Sequence, residues 1–178
     1  MPRIALVTFG ILQAHEDHPQ VQGFVDRSGS VFARAEASNG HIDHYRGQRD
    51  QYRVSAEGCL FGAYETGRFV TADLAGLEAQ TLSLWTDLEA VFAFAYGVIH
   101  AEALRHRTEW FLKPEWPSYA AWWVADDDWP GWREANARLE HVHDHGASPA
   151  AFDFRSPFDA DGCPVNLDRG RVATLRDR

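Results

Sequence analysis

Three side chains capable of proton chemistry occur at helical spacing within one apolar segment. Tyr96, His100 and Arg107 fall in a narrow stripe of a helix predicted from Leu88 to Leu112, with Asp87 as its N-cap. An imidazole titrates near neutral pH, so it can take a proton from an acidic phenol or a β-diketone carbon. A guanidinium can then stabilise the resulting anion. The stripe predicts His100 as a catalytic base, with Tyr96 and Arg107 orienting the substrate or stabilising charge.

Two other interpretations of His100 stay open. The residue lies at the edge of the apolar helix face, where it can hydrogen-bond a strand carbonyl and simply fix the helix in place. It can also act as the axial ligand of a haem held in an aromatic cavity. The sequence has no CxxCH motif, so such a haem would be bound without a covalent link. We expect no cofactor, with haem as the alternative.

A second group of histidines lies near the end of a helix predicted from Trp132 to His145. His141 and His145 share a helix face, but a metal site would need a third ligand from elsewhere in the chain. Histidines in a last turn also favour the negative end of the helix dipole. We therefore predict no metal site and keep this pair as a weak alternative. His44, near a predicted strand end, is a minor candidate for a pocket.

Aromatic residues make up 13% of the chain, including seven tryptophans. Because large apolar patches are rare on the surface of monomers, these rings are expected in a core, a pocket or a subunit interface. Adjacent residues of a strand face opposite sides, so Trp122 and Trp123 predict a strand with two covered faces and hence a dimer. The side chains predicted to bind substrate are Trp85, Phe92, Trp110, Trp122, Trp123 and His44.

The order of predicted elements is strand, helix, strand, short strand, helix, strand. The regular segments are strands at 4–12, 81–85 and 119–124, and helices at 19–37, 88–112 and 132–145. This order is typical of a ferredoxin-like α+β fold with an extra C-terminal helix. Its helices cover one sheet face, and we expect two copies to cover each other's bare faces in a homodimer. Residues 1–158 form the single predicted domain, and 159–178 are expected to be a mobile tail.

Composition excludes several classes of partner. A net charge of −9 opposes binding to nucleic-acid phosphates. No apolar run is long enough to cross a bilayer, and no secretory signal is recognisable, so we expect no membrane association. Two distant cysteines without a CxxC motif are typical of a reduced, cytoplasmic protein. The motifs of dinucleotide, ATP, α/β-hydrolase and zincin sites are absent from the sequence.

Two stretches of the chain resemble a known family. The pattern SLWTDLEAVFAF…H…LRHRTEWF…P…WWV, followed by LEHVHDHGASPAAFDFRSPF, resembles the family catalogued as domain of unknown function 3291. That family looks like a relative of the antibiotic-biosynthesis monooxygenases. The resemblance implies a dimeric α+β barrel, an apolar pocket between sheet and helices, and an aromatic or polyketide-like substrate. It implies oxygenation, rearrangement or cyclisation without a cofactor, and its more distant relatives include haem proteins. A non-catalytic small-molecule binding module is a separate alternative. The region 48–76 departs from the pattern and is expected to form a pocket lid.

Overall fold

The computed structural model of the protein describes residues 1–47, 54–55, 58–97 and 105–176. Its strands are β1 (Arg3–Ile11), β2 (His41–His44), β3 (Val54–Ser55), β4 (Gly58–Cys59), β5 (Glu78–Trp85) and β6 (Tyr119–Val124). The described helices are α1 (Gln22–Ala37), α2 (Leu88–Ala95), α3 (Arg107–Trp110), α4 (Trp132–His145) and α5 (Arg169–Arg176). None of these helices is long and apolar enough to cross a bilayer. The protein is therefore an α+β structure.

A four-stranded antiparallel sheet organises the chain, with the strands in the order β2–β5–β1–β6. The first strand in sequence is thus an interior strand of the sheet. Ile4 lies opposite Trp85 on one side and opposite Trp123 on the other. The two short strands β3 and β4 pair separately. Strands that are neighbours in the sheet are consequently far apart along the chain.

Strand β1 is apolar at nearly every position because both sheet faces are buried. Its odd-numbered core residues share a cluster with α4, and we call that side the α4 face; these residues are Ala5, Val7, Phe9 and Ile11. Ile4 and Leu6 share the opposite cluster with residues of α1 and α2, on what we call the α1–α2 face. The alternation follows from the period of two in a strand. The strand is therefore buried on both of its sides.

The prediction of a bare sheet face is wrong. Helix α4 covers that face with Trp132, Ala135 and Leu139, and the irregular segment 60–77 adds the fully buried Phe61. Both faces are therefore covered within one chain. The homodimer stays a prediction. Its physical argument is sheet-on-sheet packing, and the described residues leave neither sheet face free for such packing.

The predicted helix from Leu88 to Leu112 is also wrong in length. Asp87 is the predicted N-cap, and its carboxylate accepts the Ala90 amide at 3.0 Å, which confirms the start. Helix α2 nevertheless ends at Ala95, with Tyr96 as its C-cap and Gly97 in the following turn. Glycine is a poor helix former, and here it follows the last helical turn directly. The short α3 is a separate element.

The C-terminal segment contains regular structure that the sequence did not predict. Instead of a featureless tail, residues 169–176 form α5, which packs on α2 and buries Val172. Its sequence carries two arginines in the first turn and only a short apolar pattern. Such a pattern is too weak to predict a helix without the tertiary contact that stabilises it.

Candidate functional site

A cleft lies between α1, α2 and α5, with a cavity of about 300 Å³. Its size is at the lower end of the range for small-molecule sites. Its apolar wall is formed by Val31, Ala90, Ala93, Phe94 and Leu175. The cleft exists because α1 packs loosely. Of its residues only Ala35 is fully buried, and its larger apolar side chains are half-buried.

The polar groups of the cleft are a phenol, an amide, a hydroxyl and two guanidinium groups. These belong to Tyr96, Asn39, Ser38, Arg34 and Arg176. Tyr96 is 44% exposed, and its ring stacks on Phe92 at a centroid distance of 4.5 Å. No Asp or Glu is among the described residues that line this cavity. The described part of its lining therefore carries positive charge.

Behind the cleft lies a pair of histidines on the α1–α2 face. The Nδ1 atom of His44 is 3.2 Å from Nε2 of His41, and His44 is 4% exposed. The His44 ring stacks on Phe32 at 5.0 Å, and the His41 ring meets Trp85 edge-on at 5.0 Å. Trp85 in turn stacks on Phe94, which lines the cleft. The histidine pair is thus one aromatic layer away from the cavity.

Both histidines are neutral at neutral pH. Burial, with smaller contributions from the Arg46 guanidinium and His41, lowers the pKa of His44 to about 4. Burial also lowers the pKa of His41. Arg46 is itself fixed by ion pairs with Asp43 and Glu36. Two neutral imidazoles can share one proton in an N–H···N hydrogen bond, so the pair is a fixed polar unit rather than a charged one.

Of the two described residues predicted to carry chemistry, Tyr96 lines the cleft and Arg107 does not. Arg107 begins α3 and is exposed. Because α2 ends at Ala95, no single helix brings Tyr96 and Arg107 into one stripe. His100 lies outside the described residues, so its roles as base, as structural histidine or as haem ligand stay predictions.

The residues predicted to bind substrate are spread over three places. Phe92 stacks on Tyr96 but does not line the cleft, and Trp85 and His44 lie behind it. Trp110 packs against Phe24 of α1. Trp122 is buried on the α4 face, whereas Trp123 faces the other way and donates from Nε1 to the Phe158 carbonyl at 2.7 Å. The opposite orientation of the two adjacent tryptophans is as predicted, but neither lines the cleft.

The weak metal alternative gains no third ligand. His141 and His145 have ring centroids 5.0 Å apart, and Nε2 of His141 lies 2.7 Å from the Ser148 hydroxyl. Across the described part of the chain, no three His, Cys, Asp or Glu side chains are grouped closely enough to hold a metal ion.

Sequence reasoning did not single out His41, Arg34 or Arg176. In a regular strand His41 and His44 would point to opposite faces, since they are three residues apart. A register shift between His41 and Asp43 breaks the alternation and places both imidazoles on one side. No pattern in the sequence marks such a bulge. The two arginines meet only because α5 folds back onto α2.

Comparisons with known proteins show the family but no activity. The chain belongs to the family described as "Domain of unknown function (DUF3291)", whose model matches residues 3–168. No curated protein matches it significantly. A similar solved structure is that of NE2512, a protein of unknown function from Nitrosomonas europaea, with a TM-score of 0.45 and 15% identity over 73% of this chain and 96% of that chain. The expected relation to the antibiotic-biosynthesis monooxygenases stays a prediction.

Proposed function

We propose that this DUF3291 protein is a natural-product tailoring enzyme that binds an aromatic or polyketide-like molecule between α1 and α2. It acts by proton abstraction and needs no metal or redox cofactor. The product then arises by monooxygenation, rearrangement or cyclisation. The observation that carries this proposal is the cleft itself. Its described lining combines an apolar wall with a tyrosine and two arginines, without an acidic residue.

A ferredoxin-like fold is part of the same proposal. One helix follows β1 and another follows β5, and the strand order β2–β5–β1–β6 corresponds to the ferredoxin-like arrangement. In such a fold, a cavity between the sheet and its helices is the natural place for a small apolar ligand. The described cleft occupies that side of the sheet, although its floor is made by Phe94 and by Trp85 beneath it.

The cleft suits an anion that forms on the ligand. When a C–H or O–H bond of the substrate breaks, the proton passes to an imidazole and the electron pair stays on the substrate as an enolate or phenolate. Arg34 and Arg176 line the cleft and would attract that charge. The Tyr96 hydroxyl is hydrogen-bonded to the Tyr119 side chain, and we propose that it turns toward the substrate to donate a hydrogen bond to its oxygen. The base is proposed from the sequence alone as His100. Oxygenation would also consume dioxygen, whereas rearrangement and cyclisation would not.

Anthrone is a suitable probe because loss of a proton from its CH₂ group gives an anion and oxygenation gives a coloured quinone. We expect the full chain to accelerate its deprotonation and consumption of dioxygen. Tyr96→Phe should lower the rate about tenfold by removing one hydrogen bond to charge. His100→Ala should abolish turnover while circular dichroism stays unchanged. Unchanged turnover in both variants would contradict the mechanism.

Two outcomes of the same work would favour the alternatives. A Soret band after reconstitution with haem, lost in His100→Ala, would identify a haem protein. A ligand retained in native mass spectrometry but never converted would identify a non-catalytic binding module. Failure of the cleft variants Tyr96→Phe and Val31→Trp to change binding would place the ligand elsewhere.

A further inference from the structure

Helix α5 lies outside the part of the chain that matches the family, yet it forms one wall of the cleft. The family model ends at Asp168, and α5 begins at Arg169. We propose that α5 is the specificity element of this protein and that Arg176 selects ligands carrying a carboxylate or phenolate on an aromatic body. The inference rests on the proposed function for the existence of a ligand in the cleft. It goes beyond that function by naming the charge that the ligand carries.

Helix α5 is attached to α2 at three levels. Val172 is buried between the two helices, with 5% of its surface exposed. Arg171 donates to the Asp87 carboxylate at 2.6 Å, at the start of α2. The Asp168 amide donates to the Glu89 carboxylate at 3.2 Å. An apolar contact flanked by two polar ones fixes the helix in one orientation, so the residues of its last turn have a defined place.

The helix also carries its own start signal. The Asp168 carboxylate accepts the amides of Gly170 and Arg171, at 2.9 Å and 3.0 Å. A side chain that accepts amides of the first turn stabilises a short helix that propensity alone would not form. The side chain of Asp168 therefore stabilises the helix at this position.

The last turn of α5 supplies Leu175 and Arg176 to the cleft. The Arg176 guanidinium lies over the Phe92 ring, 5.9 Å from its centroid, and Phe92 stacks on Tyr96. Arg34 stands on the α1 side. Neither arginine has an ion-pair partner among the residues that the structure describes. In a chain of net charge −9, two arginines at one small cavity, neither of them paired with a described carboxylate, point to an anionic ligand.

The test compares two probes of nearly the same shape, 2-naphthoate and the neutral 2-naphthamide. Affinities are measured by isothermal titration with the full chain at low and high salt. We expect naphthoate to bind about tenfold more tightly than naphthamide, and the difference to shrink at high salt. Arg176→Gln should remove most of that preference while leaving naphthamide binding unchanged. Arg176→Lys should restore part of it, since the charge is kept.

Arg169→Gln is the matched control, because Arg169 is an exposed arginine of the same helix that does not line the cleft. It should leave both affinities unchanged. If the full chain binds both probes equally and Arg176→Gln has no effect, the inference fails and the proposed binding cleft stands. If the full chain binds neither probe, the proposed function fails and the inference fails with it. An equal loss of the preference for naphthoate in Arg169→Gln would show that the effect depends only on net charge. It would also overturn the assignment of Arg176.

Discussion

The two faces of the central sheet differ in whether their buried polar groups are hydrogen-bonded. On the α1–α2 face, the indole N–H of Trp85 donates to the Ser83 hydroxyl at 2.9 Å, and that of Trp123 donates to a carbonyl. On the α4 face, the buried indole nitrogens have no hydrogen-bond partner among the described residues; they belong to Trp116, Trp122 and Trp132. The side-chain amide of Gln80, on the same face, is also unpaired.

This contrast separates a face held together by apolar contact from a face ordered by polar pairing. Large rings pack edge-on across the α4 face, such as Trp132 against Tyr45 at 5.1 Å. The α1–α2 face instead has Thr8 bonded to Thr81 at 2.7 Å and the paired histidines. Polar pairs fix atoms at defined positions, which is what a binding site requires. The cleft lies on that side.

The largest expected effect is on the α4 face. Trp132→Ala should destabilise the protein by about 3–5 kcal/mol, because the side chain is 1% exposed and its loss leaves a cavity. Phe94→Ala, a half-buried ring on the other face, should cost roughly half as much. Urea unfolding of both variants measures the difference. Equal losses would show that the two faces contribute alike.

The second prediction concerns pH and the α1–α2 face. His44 has a pKa of about 4 in the folded protein, against about 6.5 in an unfolded chain, so the unfolded state binds more protons in between. The contribution of neutral His44 to the free energy of unfolding is fully present above pH 6.5 and is lost as the pH falls toward 4. We expect a loss of about 2 kcal/mol between pH 7 and 4.5. Urea unfolding should show this slope, and His44→Gln should flatten it; an unchanged slope would contradict the assignment.

Much of the fold follows from local pattern, and the rest depends on distant contacts. The strand at 119–124, the helix at 132–145 and the Asp87 cap are confirmed because each is specified by its own residues. The end of α2 and the formation of α5 are not determined by local sequence. Helix α2 ends although the apolar spacing continues, and α5 forms by packing on α2.

The same limit applies to the site. Tyr96 was predicted from its chemistry and does line the cleft. His41 and His44 come together only through a strand bulge, and Arg34 and Arg176 only through the docking of α5. Sequence spacing along one element cannot report a site whose members come from several elements.

A smaller effect should follow from removing one polar partner. Ser83→Ala leaves the buried Trp85 N–H without an acceptor, so we expect a loss of about 1–2 kcal/mol in the free energy of unfolding. The double variant with Trp85→Phe should recover part of that loss, because the orphaned donor is then absent. Additive losses would mean that the hydrogen bond contributes nothing.

The smallest expected change has the opposite sign. Gln80→Leu replaces an amide whose two polar atoms are buried and unpaired, so stability should stay the same or rise by up to about 1 kcal/mol. Thermal unfolding is sufficient to detect it. A loss as large as that of Ser83→Ala would mean that Gln80 is paired after all, and the difference between the faces would disappear.

The interior position of β1 has a consequence for biosynthesis. The strand is synthesised before both of its partners, Glu78–Trp85 and Tyr119–Val124. This apolar strand therefore keeps at least one unpaired edge until residues 119–124 have been made. Unprotected strands of this kind associate readily with one another, and distant pairing slows folding. The nascent chain should thus depend on chaperones during synthesis more than the stability of the finished sheet suggests.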